Sequence, residues 1–293
     1  MSLEIPVSFV QQFKDNYIIL SQQKGAKLRQ GVRTDPDFLS GKAGYYERIG
    51  ATTAQKRTSR HQDTPQVNTP HSRRRVTMVD YNWADLIDNP DRIRLLADPE
   101  GSYAINAAYA LGRAQDEEII TALTGNAYSM DEDDAATAVA LPAGQKVAVA
   151  TAGLTKAKLL SALEILRGNN VDLDDPMNRM FMAISAKQLT DLLNTTEVVS
   201  ADYNTVKALV EGTVDSWMGI TFIHSEKLNS TGSTTRLCPL WCMSGMGLAV
   251  GEEITVRIGE RADKSYSTQV YLEQAIGATR IEDEKVVEIA CAE

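Results

Sequence analysis

The chain has 293 residues, of which 43% are hydrophobic and 24% charged, so it is long and apolar enough to bury a core. Its 30 Lys and Arg against 39 Asp and Glu give a net charge of −9, which argues against a protein that coats DNA or binds membranes through overall charge. The 3 cysteines exclude a disulfide scaffold and suit a reducing compartment. We find neither a signal peptide nor an apolar run that could span a membrane, and expect folding in a cytoplasm.

The N-terminal residues form a candidate arm. Phe9, Phe13, Tyr17 and Ile18 follow one another at spacings of four, four and one. Such spacing is typical of an amphipathic segment with one apolar face. We therefore expect this arm to bury that face on another surface.

The segment 42–75 is strongly basic. It holds eight Lys and Arg against Glu47 and Asp63, a net charge of +6, and almost no aliphatic residues. Strand-like stretches flank it at Tyr45–Ile49 and Val76–Tyr81, rich in β-branched and aromatic residues. These features predict a long projecting hairpin, and because it lacks an apolar face of its own we expect it to lie on another chain.

A long helix follows. Asp98-Pro99-Glu100 is a typical helix start, and Gly125 a typical stop. The predicted helix, Pro99–Thr124, has 26 residues and a length of roughly 39 Å. From the apolar spacing we expect Ile105, Leu111 and Ile119 to face the core.

The rest of the chain alternates strand and helix patterns and then becomes β-rich. An acidic linker, 128–142, precedes this region. The capping box Ser185-x-x-Gln188 opens one of the helices. The predicted strands are Lys146–Ala150, Arg179–Ile184, Trp217–Ile223, Leu237–Met243, Ile254–Ile258, Thr268–Leu272 and Val286–Ile289, and the predicted helices are Thr155–Arg167 and Ser185–Leu193.

We find no catalytic constellation. The 3 histidines lack metal-binding spacing, and Cys238-x-x-x-Cys242 lacks a second ligand pair, so buried hydrophobes are the better interpretation of these cysteines. The turn Thr151–Lys156 lacks the glycine spacing of a phosphate-binding loop, and the acidic run Asp131–Asp134 lacks the ligand pattern of a calcium loop. We predict no catalytic residue, cofactor or metal, and hence no enzyme.

The order of these parts resembles the major capsid protein of tailed bacteriophages, of the Hong Kong 97 type. The stretch GKAGYYERIGATTAQKRTSRHQDTPQVNTPHSRRRVTMVDYNWADLID resembles the extended loop, and DPEGSYAINAAYALGRAQDEEIITALTGNA resembles the spine helix. RMFMAISAKQLTDLLN and EGTVDSWMGITFIHSEKL are similar to the axial domain, and GEEITVRIGERADKSYSTQVYLEQAIGATRIEDEKVVEIACA to the closing peripheral strands.

This resemblance implies an α+β fold with five parts. They are an N-terminal arm (1–41), an extended β-hairpin loop (42–82), a peripheral domain with the spine helix (83–142), an axial α/β domain (143–248) and the closing strands of the peripheral domain (249–293). Some members begin with a cleaved scaffolding segment of about a hundred residues. Only some 40 residues precede the loop here, so we expect a separate scaffolding protein. Some members are crosslinked through Lys and Asn; we assign no crosslink to Lys56.

The resemblance also implies the function. Copies would assemble as pentamers and hexamers into the icosahedral head shell around the double-stranded DNA of a phage, in the cytoplasm of a bacterial host. Partners would be the chain itself, a scaffolding protein and a portal, with non-specific contact to DNA and no membrane. Decoration proteins, triangulation number and host stay open.

We expect the basic residues of the hairpin to pair with acids of a neighbouring subunit, because these acids form the densest negative runs of the chain. Stacking on nucleic acid is less favoured, since no aromatic residue lies within Arg73-Arg74-Arg75. The predicted contact residues are Arg57, Arg60, Arg73, Arg74, Arg75, Asp116, Glu117, Glu118, Asp131, Glu132, Asp133, Asp134, Phe9 and Phe13.

Two other functions remain open at this stage. An encapsulin-like compartment shell is built on the same fold, and gene neighbourhood would separate it from a virion shell. An α/β ligand-binding protein or enzyme, with Val147–Met243 as its working domain, is the second alternative. It would form a small oligomer rather than shells.

Overall fold

The structure, a computed structural model, describes residues 19–36, 43–64, 66–88, 100–130, 135–194, 216–232 and 234–293. Fourteen strands and three helices lie in these ranges. The strands are β1 (Arg33–Pro36), β2 (Ala43–Ile49), β3 (His71–Thr77), β4 (Val79–Ile87), β5 (Ala127–Met130), β6 (Ala136–Val139), β7 (Lys146–Val147), β8 (Met180–Ile184), β9 (Ser216–Trp217), β10 (Ile220–His224), β11 (Thr235–Cys242), β12 (Met246–Arg261), β13 (Ser267–Arg280) and β14 (Val286–Ala292). The helices are α1 (Glu100–Thr124), α2 (Lys156–Gly168) and α3 (Ala186–Leu193).

Strands β1, β12, β13 and β4 form one sheet in that order, which we call the helix-backed sheet because α1 packs on it. β1 runs parallel to β12, whereas β13 runs antiparallel to both of its neighbours, β12 and β4. A small apolar cluster joins Leu111 and Ala107 of α1 to Val270 and Leu272 of β13. The sheet and the helix therefore share a core.

The long helix is confirmed, with one correction to its buried face. Leu111 and Ile119 are buried as predicted, but Ile105 is 46% exposed. Buried positions follow a spacing of four from Ala107 to Leu123, and each such step turns the face by about 40° in a helix of 3.6 residues per turn. The buried face therefore rotates around α1 along its length. Near the start of the helix, Ile105 lies on the side that faces away from the core.

The second sheet has six strands in the order β7-β14-β11-β8-β10-β9. It carries the main core, in which Trp241, Met182 and Leu159 are buried. The helix α3 opens with the predicted capping box of Ser185 and Gln188. Strands β7, β8 and β11 and helices α2 and α3 lie where they are predicted, although β7 has only two residues.

One detail of this region differs from the prediction. The predicted strand Trp217–Ile223 is a hairpin, because Met218 and Gly219 both take positive φ, 56° and 80°, and reverse the chain between β9 and β10. The final strand, β14, falls within residues 249–293, the predicted closing part of the peripheral domain. It pairs with β11 and β7 in the six-stranded sheet. Residues 286–289 of β14 are all buried, as befits a strand inside a covered sheet.

The predicted hairpin forms β2 and β3. These strands pair antiparallel and continue through β5 to β6 in a third sheet, the hairpin sheet. The predicted return strand Val76–Tyr81 is divided at Met78 between β3 of the hairpin sheet and β4 of the helix-backed sheet. The hairpin therefore belongs to the hairpin sheet and continues directly into the helix-backed sheet through β4.

Candidate inter-subunit surface

The hairpin tip extends from Gly50 to Pro70. Its base is closed by the amide of Gly50, which donates to the carbonyl of Pro70 at 2.8 Å. Every described residue from Gly50 to Pro70 is exposed, including Arg57 and Arg60. The Nε of Arg57 donates to the Ser59 carbonyl at 2.9 Å. Because the tip buries nothing within the subunit, its cations are accessible to another molecule.

The three consecutive arginines have different environments. Arg73 is exposed and pairs with Glu47 of the opposite strand at 2.7 Å. Arg75 is half-buried on the same face. Arg74 lies on the other face, where it is buried. The alternation of side chains along β3 separates them.

The structure corrects the prediction for Arg74, which pairs within its own subunit. Its guanidinium donates to Asp283, which also accepts from Arg280. Burial lowers the pKa of Arg74, the attraction of Asp283 opposes that shift, and the neighbouring Arg48 and Arg280 reinforce it. We therefore remove Arg74 from the set of inter-subunit contacts.

Arg280 connects this ion pair to the end of the long helix. It donates to the carbonyls of Leu123 at 3.2 Å and Gly125 at 2.8 Å, and its other terminal nitrogen donates to Val139 at 3.1 Å. A cation at a helix C-terminus is favourable because it satisfies carbonyls left free by the last turn. The sequence alone did not indicate these roles of Arg280 and Asp283, because their other partners, Leu123, Gly125 and Arg74, lie far away in the chain.

The predicted acids of α1 are also engaged within the subunit. Asp116 is buried and accepts from the amides of Lys27 at 3.0 Å and Leu28 at 2.9 Å, so the structure corrects its assignment as a contact residue. Glu117 pairs with Lys227 at 2.8 Å. Glu118 accepts from the hydroxyl of Tyr81. Glu117 is exposed and Glu118 half-buried, so both remain predicted contacts.

The remaining predicted contacts lie outside the described residues. They are Phe9, Phe13 and the acidic run Asp131, Glu132, Asp133 and Asp134. The chain enters that run after Met130, which is paired with Arg73 across the hairpin sheet. These residues stay predictions.

The described residues contain no cluster of side chains suited to a metal ion. Cys238, Cys242 and Cys291 are free and buried, as expected of small hydrophobic residues. A groove of about 840 Å³ lies between the hairpin base and the turn before β14, and charged side chains of both signs, such as Arg48 and Glu282, line it. Within the described ranges, no helix has the length and apolarity to cross a membrane.

Comparison with known proteins decides the family. A family model described as "Phage capsid protein" matches residues 5–293. The chain belongs to this family. This capsid protein has no match among curated proteins.

Solved phage capsids share its fold. The capsid structure of the cyanophage P-SCSP1u matches with a TM-score of 0.74 at 16% identity, over 100% of this chain and 96% of that one. A chain from Mycobacterium phage Che8 matches with a TM-score of 0.72 at 16% identity, over 96% and 97%. The capsid of a native GTA particle matches with a TM-score of 0.69 at 11% identity, over 100% of both chains. The predicted α+β phage capsid fold is confirmed.

The capsid protein is thus a structural component of the virion, and its function is that of a major capsid protein of the head shell. The resemblance found in the sequence is confirmed by the family match. Neither the encapsulin-like compartment nor the α/β enzyme is favoured by these matches.

Proposed function

We propose that copies of this capsid protein form pentamers and hexamers that close into an icosahedral shell around double-stranded phage DNA. The exposed hairpin tip, Gly50–Pro70, carries this proposal. A segment of this length whose described residues are all exposed gains stability mainly by packing on another molecule. In a shell, the nearest molecules are neighbouring copies.

Charge supports the same assignment. Within the described part of the chain, no ion pair involves Lys56, Arg57 or Arg60, whereas Arg73 is already paired with Glu47. The whole chain carries a net charge of −9, so a neighbouring copy offers an acidic surface. Each exposed ion pair contributes only about 0–1 kcal/mol, but every subunit repeats the contact, so the contacts add up around the shell.

The proposal includes the partners of assembly. A separate scaffolding protein, a portal and non-specific contact with packaged DNA complete the head, and decoration proteins stay open. Assembly takes place in the cytoplasm of a bacterial host. The domain division, with residues 249–293 as the closing part of the peripheral domain, also remains a proposal.

Shortening the hairpin tests the proposal. Residues 51–69 are replaced by Asn-Gly, a favourable two-residue turn, so that Gly50 and Pro70 still close the strands. We expect an unchanged melting temperature of the subunit and a loss of shells in negative-stain images and sedimentation. A length-matched tip of Gly and Ser is the control for linker length. Normal shells from the shortened chain would contradict the proposal.

The contents of the particles separate the two kinds of shell. Expressed with the neighbouring phage genes, this protein should give particles that contain DNA. Particles that enclose an enzyme and no DNA would instead favour the encapsulin-like compartment. A small oligomer without any particles would favour the α/β enzyme.

A further inference from the structure

Two of the three cysteines lie side by side on neighbouring strands of the six-stranded sheet. Cys238 of β11 is directly opposite Ile289 of β14, and Cys291 follows two residues later. Since side chains alternate along a strand, both thiols lie on the same face of the sheet as diagonal neighbours. Both residues are fully buried, and their thiols share a hydrogen bond. The sheet therefore brings together two thiols that are far apart in the sequence.

A buried cation lies next to this pair. The ammonium of Lys158, in α2, donates to the carbonyl of Ala290 at 2.8 Å and to that of Ala152 at 2.6 Å, and Ala290 directly precedes Cys291. Lys158 is only 6% exposed, and no carboxylate pairs with it in the part of the chain that the structure describes. A thiolate at Cys291 would compensate this buried charge.

The two thiols differ in acidity. The hydrogen bond from Cys238 lowers the pKa of Cys291, and Lys158 lowers it further. Burial opposes this shift, as do the carboxylates of Asp191 and Glu293. The same hydrogen bond and burial raise the pKa of Cys238. Cys291 is therefore the better nucleophile of the pair, and Cys238 is the thiol that keeps its proton.

We propose that Cys238 and Cys291 are a site of oxidative modification, at which a hydroperoxide converts the two thiols into a disulfide between β11 and β14. The site does not depend on the assembly function proposed above; only the moment of oxidation rests on it. A chain folded in a reducing cytoplasm keeps its thiols, whereas a particle released from the cell meets oxidants. The disulfide then stabilises the subunits of the released shell.

The position of the pair near the end of β14 allows both access and closure. β7 pairs with β14 only at Glu288 and Ile289, so Cys291 lies beyond that edge strand. The end of a strand opens locally at a lower cost than unfolding of the whole domain. Such opening admits a peroxide to the buried thiols. It also lets the two diagonal positions approach the Cβ separation of about 3.5–4.5 Å that a disulfide needs.

The reaction has two steps. The thiolate sulfur of Cys291 attacks one oxygen of the peroxide, the O–O bond breaks, and the leaving hydroxide takes up the proton that Cys291 released. The sulfur of Cys238 then attacks the sulfenic acid, the S–O bond breaks, and a second hydroxide leaves as water with the proton of Cys238. The two thiols lose two electrons and two protons, and hydrogen peroxide becomes two molecules of water.

Treatment of the purified subunit with hydrogen peroxide tests the site. The chain is then unfolded, its free thiols are labelled with a maleimide, and the labels are counted by mass spectrometry. Cys242, on the same strand, is the internal control, because it is buried as well, and burial raises its pKa to about 11. We expect Cys238 and Cys291 to lose their labels about tenfold faster than Cys242, with a chain mass lower by two hydrogen atoms.

Two variants and a melting curve complete the test. Cys238→Ser should show no loss of two hydrogen atoms, whereas Cys242→Ser should oxidise as the wild type does. Dithiothreitol should restore all three thiols of the wild type, because it reduces a disulfide but not a sulfinic acid. The oxidised wild type should melt about 4–8 °C above the reduced chain, since the disulfide closes a long loop of the unfolded state.

Three labelled thiols after treatment, a disulfide that contains Cys242, or a link between two chains would overturn the proposal. An oxidised subunit that melts no higher than the reduced one would overturn its stabilising role. Because the free subunit is used, a chain that forms no shells still reports on the disulfide. A pair that resists oxidation leaves the role of the hairpin tip in assembly untouched.

Discussion

Arg74 of the hairpin and Asp283, in the turn before β14, form an ion pair whose side chains are only 3% and 10% exposed. Asp283 also accepts from Arg280, which holds the end of α1. The carboxylate of Asp283, in the turn before β14, therefore binds the base of the hairpin through Arg74. It is linked to the end of α1 through Arg280.

Removing that carboxylate should destabilise the subunit strongly. Asp283→Asn leaves Arg74 and Arg280 buried with uncompensated charge, and breaking a buried pair in this way costs about 3–5 kcal/mol. The free energy of unfolding from urea titration measures the effect. Asp263→Asn, which breaks the exposed pair of Arg261 and Asp263, is the control and should change stability little. A small effect of Asp283→Asn would show that the pair does not anchor the hairpin.

Gly112 should not tolerate a side chain. A Cβ at this position would lie 2.6 Å from the Cα of Gly25, in the segment that crosses the outer side of α1. Gly112→Ala is therefore expected to cost about 1–3 kcal/mol, as overpacking does. Gly101→Ala, with nothing within 4 Å of the added Cβ in the same helix, is the control and should be stabilising by up to about 1 kcal/mol. Equal stability of the two variants would place the 25–26 segment elsewhere.

The drift of the buried face along α1 predicts a contrast between two aliphatic residues. Leu111→Ala should cost about 2–5 kcal/mol, because Leu111 packs against Val270 and Leu272. Ile105→Ala should leave the melting temperature of the isolated subunit nearly unchanged, since its side chain is largely exposed. The two melting curves check this directly, and similar losses in both variants would contradict the assigned face.

The pH dependence of stability should carry a contribution from Asp116. Burial raises its pKa above the ordinary value of 3.8, although hydrogen bonds from Lys27, Leu28 and Gln23 oppose the shift. The native state then binds this proton more tightly than the unfolded state. The resulting stabilisation is complete below pH 3.8 and is lost as the pH rises through the higher native pKa.

Asp116→Asn removes that titration, so its free energy of unfolding should fall less steeply with rising pH over this range than that of the wild type. Asp263 gives the opposite sign, because its hydrogen bond with Arg261 lowers its pKa to about 2. Because its pair with Arg261 is exposed, the contribution of Asp263 above pH 3.8 is small, and it is lost as the pH falls toward 2. Urea titrations at several pH values distinguish the two slopes. A slope unchanged by Asp116→Asn would exclude the assigned shift.

The cations of the hairpin tip should matter together and not singly. Replacing Lys56, Arg57 and Arg60 with Ser should leave the subunit folded, because all three are exposed. Shell yield should fall, and added salt should lower the yield of the wild type as well, since the Debye length shrinks to about 3 Å at 1 M. Light scattering during assembly measures both. Normal assembly with a loss of DNA retention alone would mean that the tip faces the genome.

The parts of the fold that the sequence predicted are those with local signals. The helix stop at Gly125 and the capping box at Ser185 are determined by neighbouring residues, and α1 and α3 appear where these signals predict them. The burial of Arg74 depends on Asp283, which only the folded chain brings near. The same holds for the contact of Cys238 with Cys291, which pairing between strands creates.

The parallel pairing of β1 with β12 joins Arg33 to Gly247, with five of the six strands of the six-stranded sheet encoded between them. Such long-range pairing forms late, because the intervening chain must first be closed into a loop. The platform from which the hairpin projects is therefore completed only after most of the chain has folded. We expect newly made subunits to remain unable to bind one another until that moment, so that the slow closure of this sheet sets the time at which assembly can begin.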